Sequence, residues 1–113
     1  MNSVTLPMPP SVNRLYRAWR GRVIKSKEYR EWLGACQVAM RHQRPLKVFG
    51  PYVMTVEAVR PDKRRRDLGN LLKATEDICK DIGMIEDDCL AERIILAWDQ
   101  GEPGTIKITV AAA

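Results

Sequence analysis

The apolar positions change period several times along the chain. Residues 2–8, NSVTLPM, read as a short strand that stops at Pro9-Pro10, because proline has no backbone donor to extend a ladder. Ser11 to Arg14 then form a loop. Leu15 to Ser26 predict a hairpin centred on Arg20-Gly21, with Tyr16, Trp19, Val23 and Ile24 as its apolar content. Ser26 suits a helix N-cap and Glu28 falls in the first turn. Tyr29, Trp32, Leu33, Cys36, Ala39 and Met40 then recur at steps of three and four, the mark of an amphipathic helix of about four turns that Pro45 ends.

Residues 46–60 are extended in character. Tyr52, Met54, Val56 and Ala58 share one face, and Val53, Thr55, Glu57 and Val59 the other. Apolar content on both faces predicts a strand well inside a sheet. A second helix is expected from Leu68 to Ile82, with Leu68, Leu71, Leu72, Thr75, Ile78, Cys79 and Ile82 on its apolar stripe. Arg66, Asn70, Lys73 and Asp77 gather on the opposite side, and Gly83 suits the C′ position. After the connection MIEDDC, residues 92–98 and 105–110 read as two strands around the turn Gly101-Glu102-Pro103-Gly104.

The order β, hairpin, α, β, α, β, β predicts an α+β fold. Its expected form is a two-layer sandwich, a mixed β-sheet with both α-helices on one face. The 113 residues suit a single domain over 1–113. A hydrophobic fraction of 45% with 29% charged residues is an ordinary globular composition and argues against disorder. No run approaches the roughly 18 apolar residues of a membrane span, and the N-terminus lacks the pattern of a secretory signal. Cys36, Cys79 and Cys89 form no CxxC pair and His42 is the single histidine. A disulfide framework or zinc site is not expected, and a cytoplasmic location is.

Charge is unevenly placed. Residues 1–66 carry 15 Lys and Arg against 4 Asp and Glu, and residues 67–113 carry 4 against 10. The total of +5 therefore divides into +11 and −6, with the switch between Arg66 and Asp67. A basic half of this kind points to a polyanion partner, although intermixed charges also serve solubility.

The stretch that bears chemistry is RPDKRRRDLGNLLKATEDICKDIGMIEDD, Arg60 to Asp88. Lys63, Arg64, Arg65 and Arg66 can hold phosphates through charge-assisted hydrogen bonds. Asp67 follows at a helix start, where a carboxylate also serves as an N-cap. Glu86-Asp87-Asp88 repel one another unless solvated, paired or metal-bound. Acids beside a phosphate-binding loop are reconciled by a divalent cation, since carboxylates bind Mg²⁺ and the ion bridges to phosphate oxygens. Lys73 can stabilise charge developing on the phosphate, or pair with Asp77 at i, i+4.

These residues closely resemble the signature of the RusA-like Holliday-junction resolvases, an RRD-L-D-N-L-x-K helix followed by an acidic DD turn. LPMPPSVNRLYR is similar to that family's proline-rich start and Asn-Arg loop, and the resemblance covers nearly the whole chain. It implies a homodimeric, Mg²⁺-dependent endonuclease (Mn²⁺ being an alternative ion). Such enzymes cut four-way DNA junctions at symmetric positions, in recombination and repair, in a bacterial or phage setting. By motif position it implies Asp67 and Asp88 as metal-binding acids beside Asp87, and Lys73 as the catalytic lysine. Arg66 and Asn70 would flank them, and Lys63, Arg64, Arg65, Arg14 and Arg17 would serve the DNA backbone.

One position departs from the motif. Gly69 stands where the family carries a second acid. Asp67 and Asp88 are one sufficient set, since Mg²⁺ often takes one or two carboxylates plus waters. Asp87 is a candidate to fill in. The remaining reading is a catalytically impaired junction-binding protein. Trp19 is open to two roles, stacking on an unpaired base or packing in the hairpin or a dimer interface. Trp32 is expected in the core, and Trp98 in the core or an interface.

Overall fold

The computed structural model describes residues 2–113, so Met1 of the expected 1–113 domain lies outside the described residues. Four strands form the main sheet: β1 (Ser3–Pro7), β4 (Tyr52–Ala58), β5 (Ala91–Trp98) and β6 (Thr105–Ala112). The hairpin strands β2 (Tyr16–Trp19) and β3 (Arg22–Lys25) make a separate two-stranded ribbon. Two helices complete the chain, α1 (Lys27–Gln43) and α2 (Leu72–Asp81).

The sheet order is β1-β6-β4-β5. β6 runs antiparallel to both neighbours, and β5 runs parallel to β4. A parallel pair needs a long crossover, and the segment carrying α2 provides it. The last two strands therefore do not pair with each other across the turn at residues 101–104. β4 separates them, occupying the inner position that its two apolar faces predict.

Register explains the layering. Val4, Ile108 and Val56 lie in one row, as do Leu6, Ile106 and Ala58, and Met54 pairs with Val110. All are buried, so one face of the sheet carries the core. Tyr29, Trp32, Leu33, Cys36 and Met40 of α1 join the same cluster, as do Ala74, Ile78 and Cys79 of α2. Both helices therefore cover one face. The opposite face carries Thr55, Glu57, Lys107 and Thr109, of which Lys107 is exposed and the others half-buried.

The helix ends follow local chemistry. Ser26 caps α1, its Oγ accepting from the Tyr29 N–H at 3.0 Å. Arg44 closes that helix in the left-handed region, its N–H donating to the Met40 carbonyl. Gly83 ends α2 at φ +80°, a conformation that glycine adopts without a Cβ penalty. Trp32 anchors α1 to the end of β1, its Nε1 donating to the Pro7 carbonyl at 2.8 Å. The second helix starts later than its periodicity suggests, because Leu68–Leu71 form a tighter 3-10 turn before α2.

Candidate active site

Two clusters of polar side chains flank the start of the α2 segment. The first lines an open groove of about 920 Å³ between the Pro9-Pro10 loop, α1 and the loop before the 3-10 turn. Arg14, Arg64, Arg65, Arg66, Asp67 and Asn70 all line it. Glu28 and Glu31 stand on the α1 wall, and Glu31 is paired with Lys27 at 3.8 Å. Lys63 is exposed on the same loop but does not line the groove, and Arg17 stands on the β2–β3 ribbon.

Asp67 does not act as a side-chain cap. It occupies the N-cap position with extended backbone angles, φ −93° and ψ 126°, yet its carboxylate makes no capping hydrogen bond. It is exposed and outside every salt bridge among the described residues. The ordinary structural use of an aspartate at this place is therefore not made.

The second cluster surrounds Lys73, one helical turn beyond Asn70. Lys73 Nζ donates to Asp77 Oδ1 at 3.1 Å, and the Tyr29 hydroxyl donates to Asp77 Oδ2 at 3.2 Å. Asp77 thus ties α2 to α1 and steadies the lysine. That hydrogen bond and charge raise the Lys73 pKa, and Asp88 adds a smaller pull in the same direction. Burial raises the Tyr29 hydroxyl, and Asp77 raises it further.

Asp88 opens the short 3-10 turn Asp88–Leu90 that leads into β5. It is exposed and, like Asp67, outside every salt bridge among the described residues. Its neighbour Asp87 is half-buried and engaged by Lys80 at 2.7 Å. Hydrogen bonding to Cys89 and Lys80 holds the Asp87 carboxyl well below the usual range. The two adjacent acids therefore differ: Asp87 has a resident cation and Asp88 does not.

Three participants have no motif to mark them. Glu76, half-buried on α2, has its pKa raised by burial and by the charges of Asp88 and Asp77. Tyr52, fully buried at the start of β4, is pushed up to about 12 by burial and by Glu76 and Asp88 nearby. Its hydroxyl has no hydrogen-bond partner. Asp62 pairs with Arg66 through two hydrogen bonds and accepts the Arg64 N–H at 2.9 Å. Those bonds lower its pKa to about 2. Its i, i+4 spacing to Arg66 was the available sequence signal; the approach of Tyr52 and Glu76 to Asp88 depends on the crossover and had none.

The donor set suits a hard divalent ion held by few protein ligands. Among the described residues no three His, Cys, Asp or Glu side chains form a group able to hold a metal. Mg²⁺ does not require one, since it keeps several waters and commonly takes one or two carboxylates. Asp67 and Asp88 are exposed carboxylates that no salt bridge among the described residues engages. At Gly69, two residues after Asp67, a built Cβ meets nothing within 4 Å.

No helix among the described residues is long and apolar enough to cross a membrane. The model of the family described as "Endodeoxyribonuclease RusA" matches residues 7–111. A crossover junction endodeoxyribonuclease RusA of Escherichia coli strain K12 is 39% identical over 112 residues, covering 96% of this chain and 92% of that protein. The protein of the same description from Enterobacteria phage 82 is 39% identical over 111 residues, covering 95% and 91%. A third, from Escherichia coli O139:H28, is 31% identical over 112 residues, covering 96% and 92%. The family match spans both the arginine-lined groove and the Lys73–Asp88 cluster, and the chain belongs to the RusA endodeoxyribonuclease family.

Proposed function

We propose that this chain is a structure-selective DNA endonuclease that resolves four-way junctions by paired symmetric nicks, with Mg²⁺ (or Mn²⁺) held by Asp67 and Asp88. One arrangement carries the reading. Asp67 and Asp88 are exposed and outside every salt bridge among the described residues, Asp67 lies in the arginine-lined groove with Asn70, and Asp88 is near enough to Lys73 to add to the pull on its ammonium. Branched DNA is the substrate, and the cytoplasm, where bacterial and phage DNA is found, is the setting. A homodimer suits the task, because a two-fold enzyme matches a nearly two-fold junction.

Each group has a task in phosphodiester hydrolysis. Arg14, Arg64 and Arg65 bind backbone phosphates from the groove, with Lys63 and Arg17 reaching from its surroundings. Arg66 and Asn70 orient the scissile phosphate, and Asp62 fixes the Arg66 guanidinium in place. Lys73, positioned by Asp77, stabilises the charge that develops on the phosphate and leaving oxygen. A bound divalent ion supplies Lewis-acid polarisation and a more acidic water. Asp87 is the neighbouring acid, neutralised by Lys80 and thereby distinguished from Asp88.

Incubating labelled four-way and linear DNA with the protein, with and without Mg²⁺, tests this reading. Symmetric nicks are expected in the junction only, with Mg²⁺ present. Asp88→Asn and Lys73→Ala should abolish cutting while sparing binding. Efficient cutting in EDTA would remove the metal from the account. A second reading, junction binding without cleavage, is favoured by one observation: Gly69 offers no ligand where the family motif carries an acid. Tight binding with no cutting in either Mg²⁺ or Mn²⁺ would establish it.

A further inference from the structure

The β2–β3 ribbon stands apart from the main sheet. Seven of its eight strand residues are exposed, Ile24 alone being half-buried. Arg20 and Gly21 reverse the chain at φ 48° and 72°, the two positive values of a tight type I′ turn. The strands pair Tyr16 with Lys25, Arg17 with Ile24, Ala18 with Val23 and Trp19 with Arg22. No acidic residue occurs before Glu28, whereas Arg14, Arg17, Arg20, Arg22, Lys25 and Lys27 all fall within or beside the ribbon.

Its base is fixed and its tip is not. Leu15 is fully buried. The Ser26 hydroxyl donates to the Arg14 carbonyl at 2.6 Å, and the Ser26 N–H donates to the Leu15 carbonyl at 2.9 Å. Tyr16 packs edge-on against Tyr29, with ring centres 5.8 Å apart. Tyr29 in turn holds Asp77, the partner of Lys73. The ribbon is thus anchored to the groups that position the lysine. At the tip, Trp19 is 45% exposed, with the Arg20 guanidinium 4.4 Å from its ring centre, and it is absent from the core cluster. A large aromatic residue is thus held at the tip with nearly half its surface open to solvent and no part in the core.

We propose that the β2–β3 ribbon is a DNA-binding arm whose Trp19 stacks on a base exposed at the branch point, and that it supplies preference for branched over linear DNA. The inference rests on the junction-cutting reading. Bases at a crossover have faces that a continuous duplex covers, and an indole beside a guanidinium is a suitable stacking platform for one. The cations that follow the ribbon hold the phosphates on either side. Charge disfavours a second copy of the chain as occupant, since two arms rich in cations and free of acids repel each other.

The test uses the full chain in an Asp88→Asn background, with affinities for a four-way junction and a matched duplex measured at several salt concentrations. Trp19→Ala should weaken junction binding roughly tenfold and duplex binding less than about twofold. Trp19→Phe should restore most of the loss. Arg17→Ala should weaken both substrates together and flatten the salt dependence. With 5-iodouracil at the branch point, irradiation should cross-link the base to Trp19. Unchanged junction preference in Trp19→Ala would overturn the inference while leaving junction cutting intact. So would a changed oligomeric state with unchanged DNA binding. An unsubstituted chain that cuts but shows no preference for junctions would remove the underlying reading, and this inference with it.

Discussion

Lys73 and Asp77 are one helical turn apart, and their side chains meet at 3.1 Å on the polar side of α2. Asp77 is a positioning residue: it touches the lysine and Tyr29, and has no assigned contact with DNA. Asp77→Asn should lower the Lys73 pKa, because the hydrogen bond and charge that raise it are weakened. Where deprotonation of Lys73 limits cutting, the alkaline limb of the pH–rate profile should move to lower pH. Tyr29→Phe removes a hydrogen bond from the other Asp77 oxygen and leaves the lysine's partner in place, so it should move the limb little. A purely structural role would lower the rate without moving the limb. The raised pKa means that the pair's stabilisation is present below the unfolded lysine value and is lost as pH rises through the folded one. Lys73 is half exposed, so the stabilisation amounts to only a few tenths of a kcal/mol.

Gly69→Asp should be accepted without distortion. Nothing lies within 4 Å of the built Cβ, and the backbone there is not in the left-handed region. A carboxylate there restores the acid that the family motif carries two residues after Asp67. Cutting at limiting Mg²⁺ should rise roughly tenfold. Stability should change by less than about 1 kcal/mol, since leaving glycine favours the helical turn while repulsion from Asp67 opposes it. Initial rates over a Mg²⁺ titration, together with urea unfolding, measure both effects. A drop in rate would mean that the natural site depends on the open space at residue 69.

Asp62 holds two of the groove's arginines, which the proposed function assigns to DNA. It forms salt bridges with both Arg64 and Arg66. Asp62→Asn should free their charge for phosphates, tighten duplex binding severalfold at low salt and steepen the salt dependence by about one phosphate equivalent. Cleavage should not rise in proportion, because Arg66 loses the partner that orients it. Affinity and single-turnover rate, measured together, separate these effects.

Tyr52→Phe removes a buried hydroxyl that has no partner. Burying an unsatisfied donor costs about 1–3 kcal/mol, so the variant should be as stable as the parent or up to about 1 kcal/mol more stable. A clear loss in urea unfolding would show that the hydroxyl is bonded. If stability holds but Mn²⁺ binding weakens, the hydroxyl serves the Asp88–Glu76 region.

Most elements were legible because single-segment periodicity determined them. The α1 stripe from Tyr29 to Met40 and the alternation along β4 both stand where the pattern places them. Arg20-Gly21 is at the hairpin turn, and Gly83 just beyond α2. The pairing of β5 was not legible, because apolar alternation is blind to which neighbour a strand selects. The start of α2 was missed by a turn, because Leu68, Leu71 and Leu72 suit a 3-10 turn as well as an α-helical one.

The site divides in the same way. Asp67, Lys73 and Asp88 are marked by local motif, and so is the arginine loop. The difference between Asp87 and Asp88 lies in where Lys80 reaches, which follows from how α2 ends. The bland alternative for Lys73, an i, i+4 pair with Asp77, is present, and it holds the ammonium in place. Trp32 is in the core as its stripe predicts, whereas Trp19 lies outside the core cluster with nearly half its surface exposed.

The placement of β6 has a consequence for how the enzyme is made. It is the last strand in chain order, yet it fills the gap between β1 and β4. Until residues 105–112 leave the ribosome, β1 has no partner and β4 has one open edge. The sheet on which α2 and its lysine rest is then incomplete. A nascent chain would carry its basic segments well before it could cut, so its first encounters with nucleic acid would be harmless ones.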